Sequence, residues 1–195
     1  MRLPRPLRAV LFVAFFLAVS FLSTGNADAA PFTQANRPEN LKALWELILQ
    51  SYFAKHDPKT AAALLRGLVP DQSRIRKALK DGSAPEVVQK IAAKFQDFGL
   101  PSEANLAMFL PGGPGAVTVY GATTEELAAY QAGSTSYKHF PGGAQKAAQQ
   151  ILRPGMTFYQ VVVSTPDQKT SVTYSMLYWD GQQWTMLAKP WQVLP

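Results

Sequence analysis

Residues 156–191 read MTFYQVVVSTPDQKTSVTYSMLYWDGQQWTMLAKPW, and the class of the fold turns on them. Residues 156–164 are rich in Val and aromatics, 171–179 alternate, and 184–191 follow the turn pair Asp180-Gly181; this pattern predicts three strands. The connections 165–170 and 180–183 are too short for a parallel crossover, so the strands should form an antiparallel meander. Strict alternation in the middle strand would put Val172, Tyr174, Met176 and Tyr178 on one face. Ser171, Thr173, Ser175, Leu177 and Trp179 would take the other. Neither face is wholly polar. One should meet helices, and the other should be partly covered or used for binding.

Working upstream, residues 144–152 predict a helix closed by Pro154-Gly155, and Thr123-Thr124-Glu125-Glu126 is a capping box opening another. Val117 and Val119 alternate against Thr118, which predicts a strand over 116–120. The run Pro-Gly-Gly-Pro-Gly at 111–115 punctuates the chain and divides it into a helical region, 30–110, and a mainly β region, 111–195. In the first, Leu41, Leu44, Trp45, Ile48, Leu49, Tyr52 and Phe53 recur at helical spacing, with Lys42, Glu46 and Gln50 opposite. Trp45 should be buried against the sheet, its indole N–H finding a protein or water acceptor. Asp57-Pro58 reads as an N-cap followed by Pro at the first helical position. A third helix should start at Asp71, and Ser83-Ala84-Pro85-Glu86 is a further capping box whose helix ends at Gly99. Residues 101–110 have room for one more short helix. The whole is α+β: a helical N-terminal half packed on a mostly antiparallel, curved sheet.

The chain has 195 residues, no Cys and two His, which removes disulfides, thiolate chemistry and most His-built metal sites. Arg2, Arg5 and Arg8 precede an apolar run, 9–22, and the small-residue pattern Ala27-Asp28-Ala29. These are the three parts of a secretory signal, with cleavage expected after Ala29. The apolar run is short for a bilayer, which needs about 20 residues. Removing 1–29 leaves 16 basic and 12 acidic residues, a net +4. That mild bias argues against nucleic acid, and a Cys-free exported chain suits a periplasmic or secreted setting. Membrane contact is then expected only in transit through the signal peptide, or weakly at the basic helical face of Arg76, Lys77, Lys80, Lys90 and Lys94.

Residues 156–195 carry seven aromatics against four charges. Tyr159, Tyr174, Tyr178 and Trp184 are therefore candidate ligand contacts as well as candidate core. Tyr137, His139 and Phe140 stand before Pro141-Gly142-Gly143, at a helix N-terminus that would form one lip of any small-ligand site. No Lys-Ser/Thr follows the glycines, so this is no phosphate loop, and no hydrolase, zinc, calcium or dinucleotide motif occurs. No catalytic residue, metal ligand or cofactor is assigned.

The order strand, Asp180-Gly181, Trp184-containing strand over 174–191 resembles the terminal hairpin of NTF2-like (cystatin-like) α+β domains. In that family an amphipathic N-terminal helix crosses a curved antiparallel sheet, a part residues 41–53 would play here. The chain also resembles exported bacterial proteins of unknown function. NTF2-like domains include enzymes, ligand binders and interaction modules, so the resemblance does not choose among them. The residues favour a non-catalytic exported envelope protein that binds a protein partner or apolar ligand through an aromatic-rich sheet. The alternative is a small NTF2-like hydrolase or isomerase with a cone-shaped pocket. A cavity where Asp, Glu or His meets Tyr would point to the enzyme, and an apolar cavity to the binder.

Overall fold

A computed structural model describes residues 36–97 and 99–194; the signal-peptide assignment lies outside them. Among the described residues, α1 (Pro38–Leu49), α2 (Pro58–Gly67), α3 (Gln72–Ala78) and α4 (Pro85–Asp97) precede β1 (Val117–Thr123). Then come α5 (Thr124–Ala129), α6 (Thr135–His139) and α7 (Gly142–Gln150). The chain closes with β2 (Thr157–Ser164), β3 (Ser171–Trp179), β4 (Trp184–Met186) and a 3₁₀ turn, Pro190–Val193. The fold is α+β, with the sheet antiparallel in the order β1-β2-β3-β4.

Local chemistry accounts for the helix ends. The Asp57 carboxylate accepts from Thr60 N–H at 3.0 Å and Asp71 from Arg74 N–H at 2.8 Å, each filling an orphan donor of the first turn. Thr123 and Glu126 complete a reciprocal capping box. Gly99 takes φ +74°, as the residue after a helix end often must. Ser83, read from sequence as part of a capping box, donates its hydroxyl to the Lys80 carbonyl at 2.7 Å. Residues 101–110 hold a single 3₁₀ turn, Leu106–Met108. α1 runs on as a π-helical turn, Gln50–Ala54, which the apolar spacing did not reveal.

Hydrophobic side chains bury both faces of the sheet. In β2, Tyr159, Val161 and Val163 join Leu41, Leu44, Trp45 and Ile48 of α1 and Leu64 and Leu65 of α2. Phe158, on the opposite face, joins Ile75 of α3, Val88 and Ile91 of α4, Leu127 of α5 and the alanines of α7. The N-terminal helices are thus split between the two faces. Of the two outcomes expected for the second face, covered or used for binding, the structure shows it covered, in a helix–sheet–helix arrangement. Leu79 bridges to Leu152, and Arg153 N–H donates to the Ala78 carbonyl at 2.9 Å, so the regions 30–110 and 111–195 are stitched together.

Two departures in the sheet shape everything that follows. Tyr159 pairs with Leu177 and Val161 with Tyr174, so two steps along β2 match three along β3. The extra residue is a β-bulge, with Met176 in the left-handed region at φ +67°. Strict alternation therefore fails here. Tyr174 faces the α1 side while Met176 and Tyr178 face the other. Secondly, β4 spans three residues, where the sequence suggested a strand to residue 191. Lys189 turns left-handed (φ +43°), and Pro190, having no N–H to give a ladder, opens the 3₁₀ turn.

Candidate functional site

The short β4 pairs only with Leu177–Trp179, so among the described residues Ser171 to Ser175 of β3 has no strand on its outer side. A pocket of about 340 Å³ opens there, in the size range of small-molecule sites. Its floor is Trp45 of α1 with Tyr174 of β3. One wall is Leu65, Leu68 and Val69 at the end of α2; another is Phe95, Pro101 and Phe109. The C-terminal segment closes it with Met186, Leu187, Ala188, Lys189 and Trp191, and Pro141 adds a corner.

Each part is placed by a feature already described. The bulge turns Tyr174 towards α1, where its ring meets Trp45 at 4.0 Å between centroids and 34° between planes. The Leu187 N–H donates to the Met176 carbonyl at 3.0 Å, which steers the chain past β4 and along the open margin of β3. Trp191 lies on Gly143 of α7 so closely that a Cβ there would stand 2.4 Å from Cγ of the indole. Gly143 supplies the room for that wall.

The floor carries two unmade hydrogen bonds. Trp45 Nε1 and the Tyr174 hydroxyl are buried with no protein partner among the described residues. Burial pushes the Tyr174 phenol up, so it stays a protonated, neutral donor across the physiological range. Among the described residues no Asp, Glu or His lines the pocket, and Lys189 is the one charged residue of the lining. Such a surface can hold an apolar body.

Of the seven residues singled out from sequence, Tyr174 lies in this pocket. Tyr159 and Trp184 are buried against one another within the α1-side core, 5.4 Å between ring centroids, with the Tyr159 hydroxyl donating to Asn36 Oδ1 at 3.0 Å. Burial, then the nearby Glu39 carboxylate, raises the Tyr159 pKa. Tyr178 is buried on the opposite face, its hydroxyl donating to the Arg74 carbonyl at 2.7 Å, and burial raises its pKa as well. Phe140 is core there too. Tyr137 and His139 belong to a helix of their own, α6, instead of leading into the N-terminus of α7; Tyr137 is 52% exposed and the His139 ring stacks on Tyr120 at 3.5 Å between centroids. Trp45, Phe95, Phe109, Lys189 and Trp191 were not singled out as ligand contacts. They come from four separate segments, and each segment alone reads as ordinary core or loop.

Beside the pocket, a polar hub fixes the β3–β4 turn to α3. Arg74 Nε donates to Asp180 Oδ2 at 2.7 Å, its Nη2 to the Trp184 carbonyl at 2.8 Å, and the guanidinium also meets the Thr185 hydroxyl. Arg74 Nη1 reaches the carbonyls of Gly67 and Val69 at 3.2 and 3.1 Å, and Val69 is a pocket wall. Burial alone would raise the Asp180 pKa. The N–H groups of Gln182 and Gln183, then Arg74, outweigh it and hold the carboxylate below its ordinary value. Among the described residues no cluster of His, Asp and Glu is arranged to hold a metal, and no helix is long and apolar enough to cross a membrane. No family model, curated protein or solved structure matches this chain.

Proposed function

We propose that this protein is an exported, non-catalytic binding protein that takes an apolar ligand in the pocket at the open margin of β3. One observation carries the reading: a cavity of about 340 Å³ whose lining is almost wholly hydrocarbon and aromatic, with no Asp, Glu or His among the described residues that form it. Burying apolar ligand surface there contributes about 25 cal/mol per Å². A hydrolase or isomerase would need a general acid or base facing the ligand, and the described residues of this lining offer only Lys189 and the Tyr174 phenol, which burial keeps protonated. The packing of α1 across the sheet supports the likeness to NTF2-like domains, some of which bind ligands. Export rests on Arg2, Arg5, Arg8, the apolar run and Ala27-Asp28-Ala29, and N-terminal sequencing of the exported product should begin at Ala30.

The test is a titration with N-phenyl-1-naphthylamine, a neutral apolar dye that brightens in a dry site. Saturable binding of one dye per chain is expected. Val69→Trp should fill the cavity and abolish that binding while the melting transition stays cooperative. Dye binding undiminished in Val69→Trp would refute the reading.

A further inference from the structure

We infer that the ligand is a planar ring system with an acceptor and a donor side by side on its rim, as in a lactam, lying in the plane of the sheet against the outer backbone of Thr173. The inference rests on the pocket being a binding site, as proposed above. It starts from the direction in which β3 points its backbone. Ser164 N–H donates to the Ala116 carbonyl at 3.0 Å, so even-numbered residues of β2 turn their backbone groups to β1 and odd-numbered ones turn theirs to β3. Val161 and Val163 pair with Tyr174 and Val172. The N–H and C=O of Thr173, between those two, therefore point the other way, to the open margin on the pocket that Thr173 lines. Among the described residues no strand takes them. Downstream the row is closed at Met176, whose carbonyl accepts from Leu187 N–H.

The two core layers set the shape. Trp45, Leu68 and Tyr174 pack in the core on one face of the sheet, Leu187 and Trp191 in the core on the other, and all five line the pocket. The cavity therefore continues the layer of the sheet itself beyond β3, between its two coverings. A flat molecule fills such a slot with its rim to the strand and its faces to the side chains. A Cβ on Gly143 would stand 2.4, 2.5 and 2.6 Å from three atoms of the five-membered ring of Trp191, which sets Gly143 over one face of the indole and leaves the other face and the edge for the slot. Ring contacts there add to what burial alone gives. In an extended residue the N–H and C=O stand side by side, and a lactam offers the matching acceptor and donor in the plane of its ring. The volume, about 340 Å³, is near the lower end of the roughly 300–1,000 Å³ range of ligand pockets, which suits a compact ring system more than a length of peptide.

Calorimetric titrations of the mature chain with 2-quinolinone, 1-methyl-2-quinolinone and octahydro-2-quinolinone separate the possibilities. The first is flat with a complete lactam, the second is flat without the donor, and the third keeps the lactam on a puckered, saturated frame. 2-Quinolinone should bind tightest, one per chain. The methylated ring should bind about tenfold more weakly for the lost hydrogen bond, and the saturated one about fivefold more weakly for the lost ring contacts. Thr173→Pro removes the outward N–H without touching the ladder to β2, as proline at an open margin can. It should weaken 2-quinolinone about tenfold relative to N-phenyl-1-naphthylamine. Equal affinity for 2-quinolinone and its methyl derivative, or an unchanged ratio in Thr173→Pro, overturns the pairing with Thr173 and leaves the pocket reading standing. If Thr173→Pro does not fold, the ligand series alone decides. Equal affinity for the saturated lactam overturns the flat slot. Tighter binding of acetyl-trivaline amide than of 2-quinolinone gives the margin to an added peptide strand and overturns the ring. If the dye binds and none of the quinolinones does, the inference falls alone. If neither binds, or if Val69→Trp binds 2-quinolinone as well as the parent does, the pocket reading falls with it.

Discussion

Trp45 serves the core and the pocket at once, and its indole N–H is buried without an acceptor. Its two atomic features pull in opposite directions. The ring contributes large buried area and the contact with Tyr174, while an unmade buried hydrogen bond costs about 1–3 kcal/mol. Trp45→Ala should therefore lose about 3–5 kcal/mol, seen as a melting transition lowered by about 6–20 °C. Trp45→Phe keeps a ring and sheds the unpaired donor, so less than half of that loss is expected. Thermal melts of both variants check this; equal losses would mean that the N–H does find a partner in solution. Ligand affinity should fall in both, because the same side chain forms the pocket floor.

At the level of elements, two contacts decide how the pocket is held. Asp180→Asn removes the charge that Arg74 faces and leaves a buried guanidinium unpaired, which should cost about 3–5 kcal/mol by denaturant unfolding. The pH dependence has a definite sign. Asp180 is held below its ordinary value when folded, so its contribution is complete above the unfolded pKa of about 3.9 and is lost as pH falls through the folded one. Below about pH 4 the parent should lose stability faster than Asp180→Asn does, although Asp57 and Asp71, also lowered by their N-cap hydrogen bonds, keep part of that limb in both. The second contact is α7 against the C-terminal turn. Gly143→Ala places a methyl group into the Trp191 indole, and overpacking of this kind costs about 1–3 kcal/mol. Displacing Trp191 should also weaken dye binding, and unchanged binding with an unchanged melt would mean that Trp191 does not wall the pocket. These elements differ in how readable they were. The apolar stripe of α1, the Asp57 and Asp71 caps and the Thr123–Glu126 box are local signals within a single turn or two, and the structure realises them. The bulge was hidden because Ser175 and Met176 look like any alternating pair. A left-handed Met costs roughly 1–2 kcal/mol and is held there by burial and by the Leu187 N–H, both remote in sequence.

For the molecule as a whole, the α+β class and the antiparallel meander were legible because hydrophobic period and connection length constrain topology strongly. The pocket was not. It depends on where β4 stops, on which way Tyr174 turns after the bulge and on segments from Trp45 to Trp191, and no spacing rule joins those facts. The same packing that buries both sheet faces leaves one margin of β3 without a partner strand, and the proposed ligand pocket opens there. The four indoles, Trp45, Trp179, Trp184 and Trp191, offer the most direct test. Their ¹H–¹⁵N side-chain signals, assigned from single Trp→Phe variants, would be followed during a titration with N-phenyl-1-naphthylamine. The account predicts saturable shifts at Trp45 and Trp191, which line the pocket, with Trp179 and Trp184 unmoved. Shifts at Trp179 as large as those at Trp45, or no shift at any indole, would contradict it.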